Sequence, residues 1–430
     1  MCLNALSVGS LFAQSILNNV YIRCGLSEYE KVLQARDPTR SIQIQRFNKL
    51  VNQTIEKNRL SRLATNVIVY RIPVVVHVVH NNASNSVGGA QNVNISEDQI
   101  VSQIRVLNED FRRLLNTNGF NTSTLGADTE IEFFLAQIDP QGNATNGITR
   151  HYYAQKSSFR VGDGSNDDVL LSQIAYWPSN QYLNIWVTNL ENNYLGYTQF
   201  PAAVDTISGL VPGGVSEFID GTIINYRAFG SGNYSLYKNY NLGRTLTHEI
   251  GHWLGLLHPN GDTPCGDDYV SDTPPTDNLN QTSSCTDLYA NCSGRLSREL
   301  IENYMMYSPD ACMNLFTVGQ KERMRAVLQV SPRRAALIKA QTVLEETNQL
   351  TLTLLPNPAI TNPTAEIQFK GLQSFTLSVV NNTGQRVYTL HYDNVSSSRI
   401  TIPTYVLPKG LYLVQVTTSN ERTTKRLLVQ

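Results

Sequence analysis

The chain has no surplus of charge of either sign: 34 Lys and Arg stand against 35 Asp and Glu in 430 residues, a formal net charge of −1. Nucleic-acid binders gather Lys and Arg on one face or stripe, so this balance argues against a dedicated one. Charged residues of any kind are scarce, at 16%, and a polar but sparsely charged surface is common among secreted proteins. No apolar run approaches the roughly 20 residues that cross a bilayer, which excludes a transmembrane segment of that kind. No cysteine pair has C-x-x-C spacing, which disfavours a zinc ribbon. With 41% hydrophobic residues the chain is globular rather than disordered. Its length allows two to four domains at about 100–200 residues each.

Six cysteines are present. Cys2 and Cys24 lie near the start, whereas Cys265, Cys285, Cys292 and Cys312 share one loop-rich stretch. Four clustered cysteines of this kind suggest two disulfides and an oxidising compartment. Three pairings are open, and spacing alone does not choose among them. Residues 1–13 are mildly apolar and end in Ala13 before Gln14. They read as a truncated signal peptide that lacks a basic start, the alternative being a short apolar leader of the folded domain.

Tyr70–His80 (YRIPVVVHVVH) is apolar and β-branched, as in a central strand. Ser96-x-x-Gln99 opens a helix as a capping box, with Ile100, Ile104, Leu107 and Phe111 at helical spacing. Glu130–Ile138, Tyr182–Asn189 and Gly221–Arg227 read as further strands, Val169–Tyr176 as a helix and Leu242–Leu257 as a long one. Thr317-x-x-Gln320 caps another helix to about Leu328, and a short one follows Pro332. Alternating strands and helices predict an α/β layer. From Leu352 helical periodicity stops. Short alternating runs separated by turns (366–369, 375–381, 386–392, 398–402, 410–417 and 422–429) predict a small all-β sandwich, with a boundary near residues 345–352.

The chemistry lies in Thr247–His258 (THEIGHWLGLLH). His248 and His252, four apart on a helix, share a face and can grip one metal. Glu249 is placed to act as general base on a water at that metal. Gly255 can adopt the positive φ that ends a helix, and the turn returns His258 as a third ligand. Three histidines with one open position describe a catalytic zinc rather than a structural one. These three are drawn from only seven histidines in the chain.

The sequence His248-Glu249-x-x-His252-x-x-Gly255-x-x-His258, with Asn303-Tyr304-Met305-Met306-Tyr307 downstream, resembles the metzincin zinc endopeptidases and their methionine turn. Asn241–Thr245 (NLGRT), Asp272-Thr273-Pro274, Cys312-Met313-x-x-Phe316-Thr317-x-x-Gln320 and Tyr182–Pro201 narrow the resemblance to the pappalysin family, over roughly residues 20–330. That resemblance implies a metzincin-type α/β catalytic domain with a twisted mixed sheet and an active-site helix, spanning 63–345. It implies an apolar floor at Met305 and a phenol at Tyr307 that hydrogen-bonds the intermediate or weakly ligates zinc. It implies disulfides Cys265–Cys292 and Cys285–Cys312. It places a calcium ion by Asp268, Asp272 and Thr273, whose oxygens suit a hard cation. It makes 14–62 a pro-segment, with Arg23-Cys24-Gly25 as a cysteine switch in which Cys24 fills the fourth position on zinc. Cleavage around Lys57–Arg62 would release it. Relatives that prefer a basic residue just after the scissile bond use an acid near the methionine turn. Asp310 is that acid here, with Ala311 departing from the usual pattern.

Residues 352–430 resemble the C-terminal sorting domain of the bacterial type IX secretion route. The carrying stretches are Leu355–Ala359, Asn382–Val387, Leu407–Tyr412 and the closing Lys425–Gln430. This implies export through that machinery and a secreted or cell-surface protein; the alternative is an immunoglobulin-like accessory module. The sequence thus predicts a secreted zinc endopeptidase acting on proteins or peptides and made as a latent zymogen. A non-enzymatic adhesin on a degenerate scaffold conflicts with the intact Glu249 and histidines. A zinc amidase is the remaining alternative.

Overall fold

The computed structural model describes residues 21–61, 69–143, 145–162, 164–201, 217–280, 284–339, 349–369, 373–395, 398–404 and 407–430. The expected leader at 1–13, Cys2, Arg62 at the end of the basic stretch, and residues 340–348 at the domain boundary lie outside them.

Helices α1 (Leu26–Arg36) and α2 (Arg40–Ser61) come first. Then follow β1 (Tyr70–His80), α3 (Glu97–Phe111), β2 (Ile131–Leu135), β3 (Ile148–Tyr152), α4 (Asp167–Ile174), β4 (Leu183–Thr188), β5 (Gly196–Thr198), β6 (Gly221–Asn225) and α5 (Arg244–Trp253). A short pair, β7 (Tyr289–Ala290) and β8 (Ser297–Arg298), precedes α6 (Val318–Val330) and α7 (Pro332–Lys339).

The sheet runs β2-β1-β4-β6-β5, with β3 beside β1 beyond the end of β2. All pairs are parallel except β5–β6, where Gly196 faces Ile224 and Thr198 faces Thr222. Strand β1 is buried on both faces, as its unbroken apolar run requires. Ile72, Val74, Val76 and Val78 enter one core with Leu107 and Phe111 of α3 and Leu246 and Ile250 of α5. Val79 enters another, with Trp186, Tyr197 and Ile223.

Local capping fixes two helices. Ser96 caps α3, its hydroxyl accepting from Gln99 N at 3.2 Å. The reciprocal half of that capping box is missing: the Gln99 amide donates instead to the carbonyls of Tyr226 (3.2 Å) and Phe229 (2.8 Å). The Phe229 carbonyl is buried, where an unpaired acceptor is costly. At α6 the box closes in both directions between Thr317 and Gln320.

Helix α5 is shorter than the predicted Leu242–Leu257. Gly243 (φ 80°) and Gly255 (φ 83°) take left-handed backbone on either side of it. Its end is pinned by charge: Trp253 Nε1 donates to Asp220 Oδ1 at 2.8 Å, and Arg334 Nε donates to the Trp253 carbonyl at 2.7 Å. Burial pushes the Asp220 carboxyl up, but Arg334 and Arg333 outweigh it and hold it below the ordinary carboxylate range.

The C-terminal part is two antiparallel sheets. One orders β13 (Ser398–Thr401), β10 (Thr364–Gln368) and β9 (Thr351–Leu355). The other orders β12 (Arg386–Val395), β11 (Gln373–Val380), β14 (Gly410–Thr418) and β15 (Arg422–Val429). Inward residues of both, including Leu352, Ile367, Leu377, Val414 and Leu427, share one apolar core, the arrangement of a sandwich.

Candidate metal centre

Three imidazoles converge at the end of α5. His252 Nε2 lies 3.0 Å from His248 Nε2 and 3.1 Å from His258 Nε2. Each far nitrogen has its own partner. His248 Nδ1 donates to the Tyr304 carbonyl and His252 Nδ1 to the Leu256 carbonyl, both at 2.7 Å. His258 Nδ1 meets Asp262 Oδ1 in a very short contact. A carbonyl can only accept, so the proton of each neutral ring sits on Nδ1 and the lone pair on Nε2. Burial pushes His252 down to about 3 and His248 well below its ordinary value, with the neighbouring rings adding to the effect. Converging bare lone pairs in a dry site repel one another unless a cation lies between them. The donor set therefore fits zinc, with the outer partners that orient metal-binding histidines.

A fourth atom joins them. The Cys24 sulfur and the three histidine nitrogens all lie within 4.8 Å of one another. Burial first, then the charge of Glu249, pushes the Cys24 thiol well above its ordinary value. Such a group ionises only against a cation. Glu249 is itself buried, which pushes its carboxyl up to about 8 against the pull of Cys24 and Arg23.

The chain around Cys24 lies along the rim strand. Ile22 N donates to Asn193 O at 3.0 Å, Leu195 N to Ile22 O at 2.9 Å and Gly25 N to Gly196 O at 2.9 Å, in parallel pairing. A Cβ on Gly25 would stand 2.5 Å from a Val161 methyl, so the passage past Cys24 admits only glycine without displacement. Arg23 is buried in a pocket beside the metal centre. Its Nη1 donates to Asp310 Oδ1 and to the Ser308 carbonyl, both at 3.0 Å, and its guanidinium lies over Tyr240. The other Asp310 oxygen accepts from Leu242 N at 2.9 Å and Arg244 N at 3.2 Å, which ties that pocket to the start of α5. Farther along, Phe47, Val51 and Ile55 of α2 pack on Ala326 and Val327 of α6.

Beneath the centre, Met305 is fully buried, and a Cβ at Gly251 would meet its sulfur at 2.4 Å. The turn is held by Asn303, whose Oδ1 accepts from Met305 N at 2.9 Å and whose amide donates to Gln320 Oε1 at 2.8 Å. Tyr307 stands edge-on to His258, ring centroids 5.0 Å apart, and burial raises its phenol well above the ordinary value. Disulfides join Cys265 to Cys292 and Cys285 to Cys312.

The acidic loop is divided. Asp268 Oδ2 accepts from Thr273 Oγ1 at 2.7 Å, and burial pushes the Asp268 carboxyl up to about 7. Asp272 faces α6 instead, accepting from Thr317 Oγ1 at 2.6 Å and Gly319 N at 2.8 Å. A carboxylate at a helix N-terminus is satisfied there without a cation.

Sequence reasoning did not single out Asp262 or Tyr304 as partners of the centre, nor Asp310 as the partner of Arg23 in the switch motif. His258 and Asp262 are four apart, a spacing that could have flagged the pair; the Tyr304 carbonyl leaves no such trace.

Two family profiles match the chain. One, described as pregnancy-associated plasma protein-A, covers residues 163–329, and one described as a secretion system C-terminal sorting domain covers 353–430. An extracellular metalloprotease of Colletotrichum graminicola is 31% identical over 63% of this chain and 81% of its own length. One from Verticillium alfalfae is 39% identical over 37% of this chain, which spans only 54% of that relative's length. Among solved structures, a Tannerella forsythia promirolysin mutant is 37% identical with a TM-score of 0.59, covering 74% of this chain and 97% of that one. Mirolysin in complex with a compound is 40% identical with a TM-score of 0.55, covering 65% of this chain and 99% of that one.

Proposed function

Because the chain belongs to the pappalysin family of metallopeptidases, we propose that it is a zinc-dependent endopeptidase made as a latent precursor, with Glu249 as its general base. It is a metalloendopeptidase, secreted or held at the cell surface. The reading of the site rests on one observation: three histidine nitrogens and the Cys24 sulfur converge within 4.8 Å. His248, His252 and His258 would hold zinc, and Cys24 would complete its shell in the precursor. Bound zinc would supply Lewis acidity, polarising the scissile carbonyl and acidifying water.

The protein groups do the rest. Glu249 takes a proton from the attacking water and delivers it to the leaving amine nitrogen. Burial raises the proton affinity of Glu249, and a cation beside it would draw the carboxyl back to its charged, proton-accepting form. Tyr307 keeps its proton through neutral pH and can donate to the negative oxygen of the tetrahedral intermediate. Met305 is the floor that keeps α5 at a fixed depth. In this reading residues 14–62 are the pro-segment and 63–345 the catalytic domain. The sandwich at 352–430 would be the part recognised by the type IX secretion machinery.

Arg23 supports a substrate preference. Its buried ion pair with Asp310 occupies a pocket beside the metal that would take a basic residue just after the scissile bond. A calcium ion by Asp268, Asp272 and Thr273 would stabilise the disulfide-bonded loop only by displacing the bonds of Asp272 to α6 and of Thr273 to Asp268.

The test is a peptide library, varied on both sides of the scissile bond, digested by the activated enzyme. Cleavage before Arg or Lys is expected, and none in the presence of a zinc chelator. Asp310→Asn is expected to lower the preference for a basic residue by about tenfold, the value of a lost buried charge pair at its low end. Digestion that persists without metal defeats the zinc reading. A profile indifferent to Asp310 defeats only the pocket assignment. Full activity after zinc is restored without calcium removes the calcium ion.

A further inference from the structure

The pro-segment also fills a second polar pocket, beside the edge strand β5 and apart from the one at Asp310. The carboxylate of Asp168, on α4, is 4% exposed. It receives the forked guanidinium of Arg36: Nη1 donates to Oδ2 at 2.6 Å and Nη2 to Oδ1 at 2.9 Å. Nη2 also donates to Asn166 Oδ1 at 2.8 Å, and Tyr29 Oη donates to Asp168 Oδ2 at 2.9 Å. The Tyr29 ring stands edge-on to Tyr197, centroids 4.8 Å apart, in an apolar cup with Val161 and Leu171. Tyr29 and Arg36 belong to α1; the walls and the carboxylate belong to the catalytic body.

The neighbouring acid is already matched within that body. Asp167 is paired with Lys156 Nζ at 2.6 Å and accepts from Arg160 N at 2.8 Å. Asp168 differs: among the described residues its ion pair is with Arg36 alone. Loss of residues 21–61 removes that guanidinium and the Tyr29 hydroxyl together. The Asp168 carboxylate, at the N-terminal turn of α4, is then left without its cationic partner, beside the edge strand β5 that carries Tyr197. A planar guanidinium is the group that restores both bonds at once.

The direction of the cleft follows from the pro-segment, and it rests on the reading of Asp310 given above. Arg23 sits in the Asp310 pocket, Cys24 lies at the histidines, and α1 begins two residues later. The chain therefore crosses the metal centre between Arg23 and α1. A substrate whose residue after the scissile bond enters the Asp310 pocket lays its earlier residues on the α1 side. Tyr29 is five positions past Cys24. At about 1.5 Å per helical residue and about 3.3 Å per extended one, the cup lies within reach of the second to fourth residue before the bond.

We propose that Asp168, with Tyr197 and Val161 as walls, is a second specificity subsite of the activated enzyme, which takes an arginine side chain two to four residues before the scissile bond.

The experiment uses the activated enzyme and fluorogenic peptides that share one arginine after the scissile bond. Arginine or citrulline, its neutral isostere, stands at the second, third or fourth position before it. At one of these positions kcat/KM for arginine is expected to exceed that for citrulline by about tenfold, the effect of roughly 1.4 kcal/mol from one forked charge pair. In Asp168→Asn the ratio is expected to fall to about one. A wild-type ratio of one at all three positions overturns the proposal without any variant being needed. A ratio unchanged in Asp168→Asn overturns the assignment to that carboxylate. An Asp168-dependent ratio found only for arginines after the bond overturns the placement, and shows that the direction taken from Asp310 is the part that failed. Loss of cleavage of every peptide by wild type would instead defeat the endopeptidase reading.

Discussion

Glu249→Gln is expected to lower kcat/KM for every peptide substrate by about 1,000-fold, within the range removed by deleting a general base. Glutamine keeps the shape of the side chain and removes its ability to take a proton. Shape matters here: the Glu249 Cγ lies 3.1 Å from where a Cβ at Gly196 would stand. The histidines and their outer partners are untouched, so zinc content is expected to remain near one per chain. Measured together, peptide hydrolysis and bound zinc separate the two roles. Hydrolysis that survives the substitution would assign the base elsewhere, and zinc lost with activity would mean that the substitution had damaged the site.

Cys24→Ala is expected to raise the hydrolysis of a small fluorogenic peptide by the intact precursor about tenfold or more. The alanine cannot approach a cation, so the open position becomes available to water. The gain stays well short of full activity because other latches persist. Arg23 still pairs with Asp310, Gly25 with Gly196, and Arg36 with Asp168, while Phe47, Val51 and Ile55 still cover α6. Removing a single ligand worth about 1.4 kcal/mol already gives tenfold. A precursor as silent with alanine as with cysteine would show that these other contacts carry latency, and Cys24 would lose its role. Faster conversion of the same variant to a shorter chain on a gel is the companion readout.

What the sequence made legible was local. The apolar run of β1, the caps at Ser96 and Thr317, and the spacing of His248, His252 and His258 are patterns within a dozen residues. Each is fixed by helix or strand periodicity. The alternation after Leu352 exposed the sandwich for the same reason, although β9 begins at Thr351 with only two buried positions to mark it. The end of α5 was misjudged because Leu256 and Leu257 continue an apolar stripe while Gly255 has already turned the chain. The rim strand β5 is three residues long and carries no periodicity to detect. Least legible were partners far apart in sequence. Arg23 meets Asp310 across 287 positions and Arg36 meets Asp168 across 132. Arginines and aspartates are common, and nothing local tells one that will be buried from one that will face solvent.

The parallel run of Ile22 along Tyr194 has a kinetic consequence. With Arg23 in the Asp310 pocket, the segment enters the cleft from the end at which a substrate would leave it. If the Asp310 pocket takes the residue after the scissile bond, the segment's amide groups would meet the centre in reversed order, occupancy would not lead to scission there, and an activating cut would fall elsewhere in the chain. After such a cut the freed piece would cling by reversible contacts alone, and its hold would weaken as molecules disperse. A population crowded together would stay quiet after nicking, and the same population spread into a large volume would wake.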